Sequence, residues 1–287
     1  MLMLNARSIA TPGKMDELQL ESARLRPDII IVSESWLSLD HEDSVFNISG
    51  YDLLRQDRIG RIGGGIAVWM NSTLCSKRHW PTNSFPFGDI LFVKFKYNYS
   101  VYVLCALYIP PNRAIIQENS IIEFLTDELD SLLDNTPDIH IILSGDLNRL
   151  DTSSLESAFN LDCKVTSPTR GNAILDQILM SSSISMHYPS ADVGPSLFTR
   201  RRGSHGQIAL KPLNRCAEAQ SKELKIVYDC RRQHTEKFIQ SLQTCLFSDL
   251  YWESDLEKKL LIFYEHMSRC LAVIPTKTVQ MSKKEKP

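Results

Sequence analysis

Five short segments of this chain place polar side chains at the end of an apolar run. They are Leu4-Asn5-Ala6-Arg7-Ser8, Ser33-Glu34-Ser35-Trp36-Leu37, Leu107-Tyr108-Ile109-Pro110-Pro111, Ser144-Gly145-Asp146-Leu147-Asn148 and Leu175-Asp176-Gln177-Ile178. A sixth, Gly203-Ser204-His205, precedes a last short apolar run. A hard divalent cation takes oxygen ligands, and Glu34, Asp146, Asp176 and the amides Asn5 and Asn148 can supply them. Such a cation can neutralise a phosphate oxygen and a leaving oxygen. A histidine such as His205 handles a proton near neutral pH. Taken singly, each segment is ordinary turn chemistry, because strand-end Asp and Asn are common turn residues. Their joint order is what is specific.

The elements that must position these residues alternate between strands and helices. Asp28–Val32, Gly65–Met70, Ile90–Val93, Val101–Tyr108 and Ile139–Leu143 are rich in β-branched and aromatic residues and are bounded by Gly, Pro, Asn or Asp, which predicts buried strands. Lys14–Leu25 and Ser120–Leu133 are expected helices. The second has Ser120 and Glu123 as a capping pair and Ile121, Leu125, Leu129 and Leu132 on one face. Strands outnumber helices, so packed sheets flanked by helices are expected rather than a strict βαβ winding. Polar residues at the ends of many strands build a site at one edge of such a sheet. Gly63-Gly64-Gly65 lacks the Lys-Ser/Thr of a nucleotide loop and is expected to be a hairpin turn.

Composition changes after about Leu213. Residues 1–212 are expected to form the α/β domain, 213–228 a polar linker, and 229–287 a helical appendage. In the appendage, helices are expected at Thr235–Phe247 and at Ser254–Val273, the latter capped by Ser254 and Glu257. The bulk numbers suit a folded protein: 43% of the 287 residues are hydrophobic and 23% charged. A net charge of −2 neither supports nor excludes a nucleic-acid partner, since acidic metal ligands offset a basic rim. The seven cysteines are scattered with no CxxC pair, so free thiols are expected rather than disulfides or zinc. No signal peptide or membrane-length apolar run is present, which leads to an expectation of the nucleus or cytoplasm.

The ordered series Asn-x-Arg-Ser, Glu-x-Trp-Leu, Gly-Tyr…Arg-x-Asp-Arg…Gly-Gly-Gly-Ile-Ala, Tyr-x-Pro-Pro, Gly-Asp-x-Asn and Leu-Asp-x-Ile, from Asn5 to about Leu210, resembles the endonuclease domain of LINE-type (non-LTR) retrotransposons. That domain belongs to the endonuclease/exonuclease/phosphatase superfamily. Residues 229–287 also resemble the connector that leads from this nuclease into a reverse transcriptase, so the resemblance makes the chain a truncated reading frame. The resemblance implies a four-layer α/β sandwich, two packed mixed β-sheets flanked by helices, with a C-terminal helical appendage. It also implies a Mg2+ cofactor (Mn2+ as a substitute) held by Glu34 with Asn5 beside it. Tyr108 would contact the scissile phosphate, Asp146 would orient or deprotonate the attacking water, and Asn148 would hold the phosphate. Asp176 would complete the polar floor, with Thr169 nearby, and His205 would stabilise or protonate phosphate oxygens. Double-stranded DNA is the implied partner, contacted by Arg7, Arg58, Thr169 and Arg200, Arg201 and Arg202. For Arg58 a structural role on a hairpin, and for the Arg200–Arg202 run a solvated loop, stand as equal readings.

One departure bears on activity. The family ends its site with Ser-Asp-His, and here Ser204 replaces the aspartate before His205. A serine can orient an imidazole but cannot stabilise its protonated form. Loss of the carboxylate in a serine-protease triad costs on the order of 10⁴-fold, and here a loss of roughly 10²–10⁴-fold is expected. The reading is a weakened nicking endonuclease. The alternatives are a DNA-binding domain that no longer cuts and a phosphatase of the same superfamily.

Overall fold

Strand periodicity decides where each residue of Ile29–Ser33 goes. Ile29 and Ile31 face one apolar cluster with Met3, Val68, Leu91, Leu104 and Ile178, while Ile30 and Val32 face another with Leu2, Leu4, Leu18 and Trp69. A strand buried on both faces reads as a continuous apolar run, as this one does. The computed structural model describes residues 1–58, 60, 63–111, 115–195, 197–198, 206–211, 223–229 and 231–281.

In chain order the elements begin with β1 (Leu2–Asn5), α1 (Lys14–Leu25), β2 (Ile29–Ser33), β3 (Tyr51–Gln56), β4 (Ile66–Asn71), β5 (Lys77–His79) and β6 (Asp89–Tyr97). Next come β7 (Ser100–Tyr108), α2 (Ile115–Asn135), β8 (His140–Asp146), α3 (Ser153–Phe159), β9 (Leu161–Cys163) and β10 (Asp176–Ser181). They continue with α4 (Ser182–Ser185), β11 (Asp192–Gly194), β12 (Gln207–Ala209), β13 (Glu223–Tyr228), α5 (Arg232–Thr244), α6 (Asp249–Trp252), α7 (Leu256–Leu271) and β14 (Thr276–Met281).

Two mixed six-stranded sheets form, in the orders β11-β12-β1-β2-β4-β3 and β5-β6-β7-β8-β10-β9. Each contains a parallel pair, β1 with β2 and β7 with β8, joined by a helical crossover through α1 or α2. A parallel pair needs such a crossover, whose helix covers the outer face of the sheet. Leu18 of α1 packs into the outer cluster of the first sheet, and α2 buries Ile121, Leu125, Leu129 and Leu132. The inner faces of the two sheets meet in the larger cluster. This is the expected sandwich of two sheets flanked by helices.

The chain divides into two compact units, Met1–Glu156 with Leu161–Ala219, and Ser157–Asn160 with Gln220–Pro287. In the second, β13 and β14 pair antiparallel from Glu223↔Met281 to Tyr228↔Thr276. Its helices include α5 and α7. On α7, His266 binds the Asp249 carboxylate through Nε2 at 2.8 Å and meets Cys245 Sγ through Nδ1 at 3.3 Å.

Several local expectations need correction. Helix α2 starts at Ile115, so Ser120 lies inside it and is not its cap. Helix α5 runs Arg232–Thr244, three residues ahead of the expected span at both ends. The cap of α7 is Asp255, whose carboxylate accepts from the Lys258 N–H at 3.0 Å, and not Ser254. Glu223–Tyr228, inside the span expected to be a linker, is strand β13.

Candidate active site at the carboxyl ends of two parallel pairs

The register brings the expected residues into two rows. In the second sheet, Asp89 pairs with Tyr108, Tyr108 with Asp146, and Asp146 with Asp176, so four polar residues cross four strands side by side. In the first sheet, Asn5 pairs with Ser33, one residue before Glu34. Parallel pairing is what aligns the carboxyl ends of β1 with β2 and of β7 with β8. The crevice outside such ends is where ligands bind in α/β sheets.

Asn5 joins the two sheets. Its Nδ2 donates to Glu34 Oε1 and to Asp146 Oδ2, each at 2.9 Å. Its Oδ1 accepts from the Arg7 N–H at 3.1 Å, which fixes which end of the amide faces the carboxylates. Asn5, Asp146, Asn148 and Asp176 are buried, while Glu34 is partly open to solvent. Water can therefore reach Glu34 in a pocket whose other members are held dry.

Local backbone strain clusters here. Arg7, Ser8, Glu34, Trp36 and Asn148 all have positive φ, between 43° and 78°, although none is glycine. Such conformations persist only where the surroundings over-determine them, and they collect at sites. The surroundings are explicit. Ser8 N–H donates to the Glu34 carbonyl and Ile9 N–H to that of Ser35, each at 2.9 Å, and Lys14 Nζ binds the carbonyls of Ala6 and Arg7. On the other side, Ser35 and Trp36 donate to the carbonyls of Gly65 and Gly64. A Cβ on Gly65 would lie 2.7 Å from Ser35 Oγ, so the glycine run of the β3–β4 hairpin also backs the Glu34 turn.

The Asp146 corner is pinned in the same way. Asn148 N–H donates to Asp146 Oδ1 at 3.1 Å and Asn148 Nδ2 to the Ile109 carbonyl at 2.6 Å. A Cβ on Gly145 would lie 1.8 Å from the Leu107 carbonyl, so only glycine lets β7 and β8 close at this point. Thr169 Oγ1 accepts from the N–H groups of Leu175 and Asp176 at 3.0 and 3.2 Å, setting the base of Asp176. Its carbonyl also accepts from Gly206 N–H at 2.8 Å, the residue after His205.

Arg58 donates to both carboxylate oxygens of Asp89, through Nε at 3.0 Å and through Nη2, and its guanidinium lies 5.3 Å from the centre of the Tyr108 ring. Asp89 also accepts from the Gly65 N–H at 2.9 Å, so one carboxylate ties the hairpin to the Tyr108 row. Burial drives the Tyr108 phenol well above its usual range, and the negative charges of Glu34 and Asp146 add to this. The group therefore keeps its proton and can donate a hydrogen bond. Burial, with Arg7 next in weight, pulls Lys14 below the usual ammonium range, while Glu17 and Glu34 oppose this.

The structure thus brings Asn5, Glu34, Tyr108, Asp146, Asn148 and Asp176 together, with Thr169 and Arg58 behind them and the exposed Arg7 at the rim. Ser204, His205 and Arg200, Arg201 and Arg202 lie outside the described residues. Asp89 and Lys14 were not singled out from sequence. Asp89 opens an apolar strand directly after Gly88, and its role appears only once the β6–β7 register is known.

The donor set suits Mg2+. Among the described residues no three His, Cys, Asp or Glu side chains gather into a cage. Mg2+ commonly uses one or two carboxylates and keeps several waters, which matches a partly open Glu34 beside the Asn5 amide. No sulfur or imidazole faces that pair among the hydrogen bonds described.

No protein-family model matches the chain, and no curated protein does. Solved structures do match in fold. The AP endonuclease LMAP from Leishmania major superposes with a TM-score of 0.58 at 13% identity, over 74% of this chain and 87% of that one. The 3′-5′ exonuclease NExo from Neisseria meningitidis gives 0.54 at 12% identity, over 74% and 99%. The endonuclease domain of TRAS1, a telomere-specific non-LTR retrotransposon, gives 0.53 at 14% identity, over 73% and 95%. At these identities the likeness is one of fold, and the chain has the fold of these nucleases.

Proposed function

We propose that the chain is a magnesium-dependent DNA endonuclease of the non-LTR retrotransposon kind, which nicks double-stranded DNA to leave a 3′-hydroxyl and is slowed by Ser204. The observation that carries this reading is the Asn5 amide bridging Glu34 of one sheet and Asp146 of the other, in line with Tyr108 and Asp176. The ordered motifs and the fold shared with DNA-acting nucleases, a retrotransposon endonuclease among them, support it.

In this reading Glu34 would hold the cation with Asn5 beside it, the Asn5 Nδ2 orienting Glu34 and Asp146 without itself being a ligand; when bound, the cation would supply Lewis-acid stabilisation of the phosphate and leaving oxygens. Asp146, oriented by Asn5 and by Asn148 N–H, takes a proton from the attacking water. The water oxygen bonds to phosphorus, the bond from phosphorus to the 3′ oxygen breaks, and that oxygen leaves to become the 3′-hydroxyl with a proton from solvent. The Tyr108 hydroxyl and the Asn148 amide donate to phosphoryl oxygens, and His205 supports the same charge without a carboxylate behind it. Asp176, positioned by Thr169, completes the floor, and Arg7 with Arg200, Arg201 and Arg202 contacts the backbone of the duplex. Arg58, engaged by Asp89 and the Tyr108 ring, is a positioning residue for Tyr108. We take 1–212 as the nuclease, 213–228 as the join and 229–287 as the segment leading towards a reverse transcriptase.

Plasmid nicking with and without Mg2+ tests this. Nicking is expected to require Mg2+ (or Mn2+), to fall at least about 10²-fold in Glu34→Gln, and to rise on the order of 10²–10⁴-fold in Ser204→Asp. Duplex binding with no metal-dependent cut even in Ser204→Asp makes the chain a binding domain and overturns the enzyme. Phosphate release from inositol phosphates without DNA nicking makes it a phosphatase.

A further inference from the structure

A cleft of about 400 Å³ lies beside the catalytic row, lined by Arg78, His79, Trp80, Phe85, Asp89 and Phe92 among others. Strand β5 runs antiparallel to β6, so Trp80, just past its end, lies towards the end of the sheet that carries Asp89 and Tyr108. Trp80 is 68% exposed, yet one of its faces is stacked on the Arg78 guanidinium, 3.8 Å from the ring centre. Arg78 is itself tied, through Nη1 to the Arg55 carbonyl at 3.0 Å and through Nη2 to Gln56 Oε1. The loop that follows is anchored by Glu128, which accepts from the Thr82 and Asn83 N–H groups, each at 2.9 Å. A large indole held open on a pinned cation is a pre-organised flat surface rather than a loose surface aromatic.

The chemistry selects the ligand. Two nitrogens of Arg78 are committed to neutral acceptors and its flat face is covered by Trp80, so it is poorly placed to fork onto a phosphate. Burial lowers the affinity of His79 for its proton, so the imidazole adds no fixed positive charge. The surface on offer is the outer indole face with the half-buried Phe85 and His79 rings around it, the buried Phe92 backing the His79 ring. Aromatic faces of this kind stack nucleobases without regard to sequence. The volume suits one base and its sugar, and a stacked duplex does not fit. We infer that this cleft receives one unstacked nucleobase of the DNA strand lying in the adjacent site, with Trp80 as the stacking platform. The inference rests on the proposed nuclease reading.

The probe is a duplex carrying a single unpaired 2-aminopurine, titrated with full-length protein in EDTA so that no cutting occurs. The fluorescence is expected to be quenched on binding, and the bulged duplex to bind more tightly than its fully paired counterpart. Trp80→Ala should abolish the quench and remove roughly 5- to 100-fold of that preference, while Trp80→Phe keeps most of it. Trp80 is exposed, so an unchanged melting temperature in Trp80→Ala shows that the fold is intact. Equal binding of bulged and paired duplexes, or equal weakening of both by Trp80→Ala, overturns the inference while Mg2+-dependent nicking leaves the nuclease reading standing. Saturable quenching of the free 2-aminopurine nucleotide at micromolar concentration makes the cleft a nucleotide site and also overturns it. Absence of both nicking and DNA binding removes the two readings together.

Discussion

Asn5 is the residue whose chemistry is most exposed to a single change. It donates to two carboxylates that would otherwise face each other across the sheets. Asn5→Asp replaces that donor with a third negative charge, and without a divalent cation the variant is expected to lose about 1–3 kcal/mol of stability. Added Mg2+ should return much of that loss, because a cation then faces three carboxylates in place of two. Thermal melts with and without Mg2+ check this, and a melt of Asn5→Asp that ignores the metal speaks against a cation at Glu34. Tyr108 yields a second expectation. Its phenol is held above its usual range by burial and by Glu34 and Asp146, so it stays protonated up to and beyond pH 10. Tyr108→Phe should lower the nicking rate by about 10- to 100-fold without changing the shape of the pH–rate profile below pH 10. An alkaline limb that vanishes in the variant would contradict this. At this scale sequence reading served well where a residue sits in a motif: Asn5, Glu34, Tyr108, Asp146, Asn148 and Asp176 all converge. It did not serve for Asp89 or Lys14, whose partners Arg58, Gly65, Ala6 and Arg7 are brought near by strand pairing and a turn.

At the scale of elements, the short strand β12 follows directly on Gly206, and its hold on the rest of the sheet is narrow. It pairs with β1 and β11, and Gln207 Nε2 also donates to Glu21 on α1 at 2.9 Å. The Arg24 hydrogen bonds hold the Glu21 carboxyl below the usual carboxylate range, and the Gln207 bond adds to this against the opposing effect of burial. Because the folded value is depressed, the stabilisation is complete above the ordinary value of 4.5 and is lost as pH falls through the folded value. Glu21→Gln should cost about 1 kcal/mol at pH 7 and progressively less as pH falls below 4.5, seen as denaturation midpoints that converge on acidification. Midpoints that stay parallel would contradict the linkage. Element boundaries were only partly legible. Lys14–Leu25 was read to the residue, because Pro27 closes it. The Ser-x-x-Glu signals at 120 and 254 misled, since a capping pair has its effect only where the backbone leaves the helix. Strands β13 and β14 escaped because each finds its partner some fifty residues away, from Glu223↔Met281 to Tyr228↔Thr276. Each is as long as β4, but neither carries the continuous apolar run that marks β2 and β4.

Across the whole molecule, the sandwich follows from its sequence: the apolar runs are strands buried on both faces, and the two helical crossovers put one parallel pair in each sheet. The second unit behaves differently. Its helix α7 buries His266 and Cys270 on one side, yet Leu256, Leu260 and Tyr264, spaced one turn apart, form an exposed apolar stripe on another. Leu256 is 80% exposed, and Trp252 on the preceding helix is 88% exposed. Covering a leucine of this kind is worth about 1.5–3 kcal/mol, so a few of them suffice to drive association at micromolar concentration. The protein is therefore expected to self-associate with rising concentration in sedimentation velocity. The double variant Trp252→Glu/Leu256→Glu should shift it towards monomer while leaving nicking per chain unchanged, because these side chains lie far in sequence from every residue of the catalytic rows. Association that persists in that variant would place the sticky surface elsewhere. A fall in nicking with monomerisation would instead mean that cutting needs more than one copy of the chain.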